Sequence, residues 1–430
     1  MKMITEQLQT PVEQMADVIV VGAGPAGVGA ALSAAREGVK VILIEPAGDV
    51  GGVATIGMMS HWTGNTKGGL YEEILNETND CNEYCDSRTV INTEKLKTKL
   101  LNMLIDAGVD VKLYTNAVAP IMDGERITGV ICEAKQGRVA YMADVVIDCT
   151  GDGDIAARAG AEYIKGRETD GRMQPMTLMF KVGGVDKQRA VLLGSFEETY
   201  ETEKGELQAL AKKHIPFPAG HLLVYNTPFK DIITCNMTNA IDVDGTDSND
   251  LTKATLTCRS QMDDIVKYLR EFVPGFENCY ILTSASFIGI RETRHFKGVK
   301  TITEEDIMQA RVFDDWVVTK AHFNFDVHNI SGSGLDETGC QKHFKQPEGY
   351  TIPYGCLVPI KIDGLLLAGR NISGTHKAHS NYRVMPICMN MGQAAGIAAS
   401  IAVKKNILPR DVVVKEIQER LTQLGVTVLI

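Results

Sequence analysis

The ten cysteines of this 430-residue chain form no C-x-x-C pair, and the two nearest, Cys81 and Cys85, have three residues between them. An iron–sulphur cluster or a dithiol motif therefore has no spacing to rest on, and scattered thiols of this kind read as reduced, cytoplasmic cysteines. Basic charge is in short supply as well. Against 54 Asp and Glu stand 44 Lys and Arg, a net charge of −10 with a pI near 5.5. That balance argues against a nucleic-acid groove, which is built on clustered cations. No uninterrupted apolar run reaches the ~20 residues of a membrane span. Residues 1–16 are polar, carry Glu6 and Glu13 and have no apolar core, so they are not expected to act as a secretory signal. Neither an internal repeat nor a low-complexity tract is visible. What remains is a 44% apolar composition, ample for a large core, over a length that suggests about two to three domains.

The densest pattern is residues 17–45, DVIVVGAGPAGVGAALSAAREGVKVILIE. Val18–Val21 is a β-branched apolar run that reads as a buried parallel strand. Gly22-Ala23-Gly24-Pro25-Ala26-Gly27 follows and opens an alanine-rich helix, and residues 39–44 form a second buried strand that ends on Glu45. Gly22 permits a tight turn, Gly24 lets the backbone approach a pyrophosphate, and Gly27 lets helix and strand pack closely. The helix N-terminus offers unpaired N–H groups and a partial positive charge to phosphates. Glu45 lies about 18 residues past Gly27, near the ~20 expected of a carboxylate that grips a ribose hydroxyl. Strand, turn, helix and acid in this order indicate a dinucleotide site, with a plain βαβ turn as the alternative. An acid at position 45 makes a phosphorylated ribose the least suitable ligand.

Further along, GGVATIG at 51–57 is a small-residue loop that leaves the ribose acid directly. It either touches the same ligand, through Gly52, Ala54 and Thr55, or is a flexible connection. Helices are expected at 70–77 and from a capping Thr93 to 107, the latter with Leu96, Leu100, Leu101 and Leu104 on one face. Strands at 109–114 continuing to 121, at 127–134 and at 138–142, with Asp123-Gly124 and Gln136-Gly137 turns, form a β-meander beside the parallel sheet. A buried strand at 143–148 leads into Cys149-Thr150-Gly151-Asp152-Gly153-Asp154, a second glycine turn at a strand's C-terminal end, where open α/β sheets bind ligands. Asp152 and Asp154 are alternatively caps of a helix at 155–160. From 165 to 350 helices at 186–213 and 248–272 alternate with strands at 222–225, 232–237 and 280–289. Thr303 to Asp306 is a capping box, and 331–336 a loop. A buried strand at 364–368 then precedes Gly369-Arg370 and a helix starting near Pro386. Its Gly392, Ala394, Ala395 and Gly396 offer either a shallow face to a flat ring or close helix packing. A surface helix closes the chain at 408–425. The expected class is α/β: a Rossmann-like parallel sheet with a β-meander, formed by 1–165 and 351–430, plus an α+β domain at 166–350 that covers the ligand.

Three separated segments agree: the first fingerprint, the T-G-D-G turn, and the late strand-G-R with its small-residue helix. Together with GGVATIG, DCTGDGDIAARAGAEY, QPMTLMFKVGGVD, IGIRETRHFKG and LLLAGRNISGTH…YRVMPICMNMGQAAGIAA, they resemble the large FAD-dependent oxidoreductase family of bacteria. That family lies in the two-domain, glutathione-reductase-like FAD-binding superfamily, and the motifs run in order over residues 17–402. The resemblance implies a resident, noncovalent FAD. Gly22, Ala23, Gly24, Pro25, Ala26 and Gly27 would hold its pyrophosphate, Glu45 the adenosine ribose and the Val118 backbone the adenine edge. Thr150, Gly151 and Asp152 would line its middle, Gly369 and Arg370 the ribityl and phosphate region, and Gln393 and Ala394 the pyrimidine side, where a helix dipole stabilises reduced flavin. Many relatives in the wider superfamily carry an acid where Arg370 stands. Were the flavin covalent, His376 and His379 would be the attachment points.

The same layout places residues just after Gly369-Arg370 beside the flavin. Removing hydrogen from an alcohol or amine needs a base near neutral pH, for which His376 and His379 are the candidates, each with a structural role as the alternative. The stretch H-x-x-H-x-N-x-R is loosely similar to the H-x-x-N-R region of fumarate reductase flavoproteins, which implies that Arg383 holds a substrate carboxylate; an ion pair bracing the helix start is the alternative. Arg291, like Arg294, lies either beside the cleft or in a structural ion pair with Glu292. The expectation is an FAD-dependent oxidoreductase that moves a hydride between a small polar CH–OH or CH–NH donor and the flavin. Alternatives are reduction of an activated C=C, as in fumarate- or geranylgeranyl-reductase-like enzymes, and a flavin-binding electron-transfer subunit, which the missing iron–sulphur spacing disfavours. Expected partners are a small-molecule substrate and an unidentified electron acceptor or donor, with homo-oligomerisation open and no metal, nucleic acid or membrane span.

Overall fold

The computed structural model describes residues 3–340 and 349–428. Its organising element is a five-stranded, all-parallel sheet in the order Leu365–Leu367, Val145–Asp148, Val18–Val21, Val41–Ile44 and Asp110–Lys112. The first four strands are buried along their whole length, which is why, Asp148 apart, they are runs of Val, Ile and Leu with little alternation. The register sets Val21 beside both Ile44 and Asp148, and Asp148 beside Leu367. Three adjacent strands therefore end level, and the turns beginning at Gly22, Cys149 and Ala368 meet at one edge. That edge is where a parallel α/β sheet opens its crevice.

The helix Pro25–Arg36 follows the first of these turns and packs along the helix Met385–Lys405. A Cβ at Gly392 would overlap the Ala26 carbonyl oxygen, one at Gly396 the Ala30 carbonyl, and one at Gly29 the Met389 carbonyl. The two helix backbones touch, so Gly392 and Gly396 serve close packing and leave no face for a flat ring. By length and composition Met385–Lys405 could cross a bilayer, yet 89% of its apolar window is buried inside the protein.

Next to the parallel sheet lies a four-stranded one, in the order Val12–Met15, Gly137–Met142, Arg126–Ala134 and Asn116–Asp123. The last three are the expected meander. Val12–Met15 was unexpected: it comes from the polar leader and pairs in parallel with Gly137–Met142. The continuous strand expected at 109–121 is broken instead. Tyr114 has a φ of 53°, and its N–H and that of Thr115 go to the carbonyls of Ala47 and Glu45. Residues 110–112 thus stay with the parallel sheet while 116–123 leave for the meander.

A third sheet is antiparallel, with Val224–Tyr225, Ile233–Cys235, Phe180–Gly183 and Tyr280–Ser284 in that order. It shares an apolar cluster, Met176 to Ala285, with the helix Ser248–Phe272. A separate, larger cluster takes in Val18 to Ala161 and returns from Phe296 to Val426. The class is therefore α/β with a Rossmann-like sheet and meander, plus an α+β portion, as expected.

Local departures have local causes. The helix expected at 186–213 is confined to Leu207–His214. Upstream, the N–H groups of Asp186 and Val191 go to the carbonyls of Gly275 and Pro274, so neighbouring segments take the groups a helix would need. Asn92, and not Thr93, caps Thr93–Asp106. The helix Asp154–Arg158 is served by neither Asp152 nor Asp154; its N–H groups at Ile155 and Ala156 reach back to Asp148. The closing segment splits into Pro409–Asp411 and Val414–Gln423.

Candidate active site

At the level strand ends the turns stack on one another. Gly22 has a φ of 93°, and a Cβ there would lie 2.7 Å from the Cys149 carbonyl oxygen, while one on Gly27 would overlap the Gly22 carbonyl. Gly24 differs: a Cβ would meet nothing within 4 Å. It is the N-cap of Pro25–Arg36, and that helix start has no side-chain cap and no acid in its first turn. First-turn N–H groups and the positive end of the dipole therefore border open space, the arrangement an anion takes. The 51–57 loop closes over the same turn. Gly51 N–H donates to the Ala23 carbonyl at 2.7 Å, and a Cβ on Gly52 would come within 2.9 Å of Gly24 Cα. Ala54 and Thr55 are buried beneath it, with Thr55 Oγ1 donating to the Val50 carbonyl.

Glu45 accepts from Ala23 N–H at 2.7 Å and from Ala47 N–H at 2.9 Å. Burial raises its pKa against the effect of those bonds, and the carboxylate braces the glycine turn. Val118 sits where the register slips between Ala117 and Ala119, without a residue paired opposite. Across the crevice, the Arg370 guanidinium lies against Gly151, whose φ is 82°, and donates to Asp152 at 2.7 Å. Asp152 also accepts from Thr293 Oγ1 at 2.6 Å, and its carbonyl from Arg294 at 2.8 Å. The Arg370 Nε–H is buried without a partner among the described residues. Room above Gly24, an uncapped helix start and an orphaned guanidinium donor together suit a phosphate-bearing ligand. The carboxylate beside position 370 is that of Asp152.

Two expected cofactor residues are engaged elsewhere. Gln393 Oε1 accepts from Leu70 N–H at 2.9 Å and so caps the helix Gly69–Glu77, and Ala394 is fully buried. Asp148 escaped the sequence reading. It is fully buried and ties the second turn together, accepting from Thr150, Ile155 and Ala156. Its signal was available, since it ends its strand as Glu45 follows its own.

Residues 291–295 connect this crevice to a buried polar cluster. Thr293 and Arg294 reach Asp152, whereas Arg291 turns the other way and donates to the Pro175 carbonyl at 2.6 Å. Arg383 donates to Asp326 at 3.0 Å, and His328 sits 3.2 Å from the same oxygen. Burial foremost, then the neighbouring Arg383 charge, pushes Arg291 down to about 10. Burial also works against the Asp326 carboxylate, but His328, Arg383 and Arg291 outweigh it and hold that group well below the usual range. His328 is pushed down to about 4 by burial and by Arg291. Nearby buried polar atoms lack partners among the described residues: Gln174 Nε2, Asn236 Oδ1, His221 Nδ1 and Arg383 Nε. Glu292 pairs with neither arginine. Its Oε1 takes His376 Nδ1 at 2.5 Å and His295 Nε2 at 2.8 Å, and its Oε2 takes Gln174 N–H at 3.0 Å.

His376 and Arg291 thus lie on either side of the same short segment, with Arg383 beside Asp326 and coupled to Arg291. His379 is packed edge-on against His295, 4.6 Å between ring centres, and burial holds it well below its usual pKa, as a neutral ring. Asp326, His328, Gln174 and His295 were missed. A D-x-H spacing and an E-x-x-H spacing were the only signals for them.

A parallel sheet with a glycine turn at its crevice and a meander beside it defines a dinucleotide-binding α/β protein. Residues 17–421 match the family described as FAD dependent oxidoreductase, and the chain belongs to that family. Its cofactor is FAD, and it is an enzyme. Over 157 residues it is 32% identical to digeranylgeranylglycerophospholipid reductase of Picrophilus torridus, a match covering 31% of this chain and 39% of that relative. The chain thus spans well under half the length of this curated relative. In structure it is similar to a geranylgeranyl bacteriochlorophyll reductase-like protein from Thermoplasma acidophilum, with a TM-score of 0.51 and 15% identity over 96% of this chain and 83% of the other. That likeness concerns the fold.

Proposed function

We propose that the protein oxidises a CH–OH or CH–NH group in a small polar organic acid. The observation that carries this reading is the charge of the buried cluster. Among the described residues, Arg291 and Arg383 face the single carboxylate of Asp326, and Arg291 has only a carbonyl as its hydrogen-bond partner. Two buried cations sharing one anion are costly, on the order of several kcal/mol, and a substrate carboxylate would complete the cluster. Arginine also suits the two-pronged grip of a carboxylate.

On this reading the turns at Gly22 to Gly27, Gly52 to Thr55, Thr150 to Asp152 and Gly369-Arg370 hold FAD, with Val118 at the adenine end. Bound FAD supplies the hydride acceptor. The chain's own residues bind the acid through Arg291 and Arg383, keep water out by burial, and take the proton from the substrate O–H or N–H at His376 Nε2. Residues 1–165 and 351–430 carry the cofactor and 166–350 cover the substrate. A separate covering part is supported by the second apolar cluster, Met176 to Ala285, but Phe296, Ile302 and Val317, although inside 166–350, pack with the first cluster and belong with the cofactor-side core.

Reduction of an activated C=C is the second reading, and the name of the Picrophilus relative favours it. A prenyl chain, however, would have to displace the charged and hydrogen-bonding groups around Arg291. Titrating the FAD-bound protein with small 2-hydroxy and 2-amino acids, and with the matching uncharged alcohols and amides, separates the two. Acids should perturb the flavin absorbance saturably and Arg383→Ala should weaken them about 10- to 100-fold. Perturbation by uncharged ligands alone would remove the acid reading.

A further inference from the structure

Glu292 is fully buried, and no Lys or Arg among the described residues hydrogen-bonds or pairs with it. One of its oxygens serves two imidazoles at once, His376 through Nδ1 and His295 through Nε2. An ionised carboxylate only accepts, so both ring nitrogens must donate, and that fixes both tautomers. His376 is Nδ1–H, leaving the Nε2 lone pair as its reactive face. His295 is Nε2–H, leaving a bare Nδ1. The other carboxylate oxygen is held by Gln174 N–H, so the group cannot rotate away to Arg291.

We propose that Glu292 is the positioning residue of the proton-accepting site, presenting His376 Nε2 to the substrate, with His295 locking the carboxylate in place. The assignment rests on the oxidation described above. As the substrate C–H bond breaks and its electron pair leaves as hydride to FAD, the O–H or N–H bond also breaks. That proton passes to His376 Nε2, and a C=O or C=N bond forms. The imidazolium so produced keeps its Nδ1–H on Glu292, which balances the new charge at 2.5 Å. Two imidazoles on one oxygen share one negative charge, so the site accommodates a single extra proton.

The surroundings act in the same direction. Burial opposes a charged His376, but the hydrogen bond and charge of Glu292 outweigh it, Glu168 adds to them, Arg167 subtracts, and the pKa is raised. Glu292 is held well below the usual carboxylate range, because the bonds from His295 and His376 exceed the cost of its burial. The Nδ1 atoms of His379 and His295 are both buried with no hydrogen-bond partner among the described residues. Glu292, His295 and His379 also offer three ligand atoms within 4.8 Å of one another. The carboxylate is nevertheless already satisfied by three N–H donors, and this favours a proton site over a metal.

Long-range ¹⁵N–¹H spectra of the histidine side chains in the FAD-bound protein test this without any substrate. In the neutral wild-type protein His376 should be the Nδ1–H tautomer and should titrate above the ordinary imidazole value. Glu292→Gln should lower that titration and mix the tautomers, and Glu292→Asp should restore part of both. With a reducing substrate, the rising limb of the pH–rate profile should move down in Glu292→Gln in step with the NMR titration, and the rate should fall about 100-fold. A neutral His376 in the Nε2–H form would overturn the assignment, and so would a titration indifferent to residue 292. A stoichiometric divalent metal in the purified holoenzyme, lost in His379→Ala, would overturn it as well. If Glu292→Gln does not fold, the wild-type tautomer still decides. If no acid reduces the flavin, the substrate reading fails while the tautomer remains measurable.

Discussion

Arg370 donates to Asp152 across 2.7 Å and joins the turns that follow two neighbouring strands of the parallel sheet. The ion pair is about one-quarter exposed on the arginine side and one-tenth on the aspartate side, and the guanidinium retains a buried Nε–H with no partner among the described residues. Arg370→Ala should therefore leave the sheet intact but loosen FAD about 10-fold or more, as loss of a charge-assisted bond implies. Release of flavin fluorescence on dilution checks this. FAD retained as tightly as in wild type would place the phosphates elsewhere.

The glycines make opposite predictions. Gly24 has room for a Cβ and a φ of −68° that any residue adopts, so Gly24→Ala should unfold within about 0.5 kcal/mol of wild type as apoprotein while binding FAD more weakly. Gly27→Ala and Gly392→Val drive a side chain into a backbone carbonyl that cannot move aside. Each should cost about 1–3 kcal/mol or more. Thermal melts of the apoproteins separate the classes, and a normal melting point for Gly392→Val would contradict the touching helices.

The pH dependence of stability follows from Glu292 and His376. His376 has a raised pKa in the folded protein, so its contribution is complete below the unfolded value near 6.5 and fades as pH rises through the folded one. Glu292 is depressed, so its contribution is present above the unfolded value near 4.5 and is lost as pH falls through the folded one. The stability lost in Glu292→Gln should be greatest between those two values and shrink on the alkaline side. Denaturant melts across pH 4–9 provide the measurement, and a pH-independent difference would show that no charge is shared.

How far the sequence carried can be read from individual residues. Val18–Val21 and the turn and helix that follow were legible because strand, turn and helix obey local rules, and the structure builds those elements as read; Glu45 ends up bracing the turn through Ala23 and Ala47 N–H. Thr93 was misread as a cap, and the capping alternative for Asp152 and Asp154 fails, because Asn92 and Asp148 stand close by with the same chemistry and only the backbone path chooses between them. The 186–213 stretch has helical composition, but distant carbonyls at Gly275 and Pro274 claim its N–H groups. His376 and Arg383 were singled out by residue type and position, and the structure places them on the buried carboxylates of Glu292 and Asp326. The contacts of Glu292 were hidden because its partners, His295 and His376, are 3 and 84 residues away, and only the first lies within reach of a local pattern.

Arg383 tests recognition separately from chemistry. Lys keeps the charge but not the planar fork, so Arg383→Lys should weaken acid binding about 10-fold while leaving FAD in place. Unchanged affinity and turnover in that variant would reduce Arg383 to bracing the helix start through Asp326.

The most direct measurement is anaerobic reduction of the FAD-bound protein by a matched panel of 2-hydroxy acids, 2-amino acids, their uncharged alcohol and amine counterparts, and enoates with the pre-reduced enzyme. Bleaching of the flavin by one or more acids, with the uncharged counterparts slower by at least about 10-fold, is the predicted result. Flavin that no acid bleaches, but whose reduced form an enoate or prenyl alkene reoxidises, would contradict the oxidation reading and make the enzyme a C=C reductase.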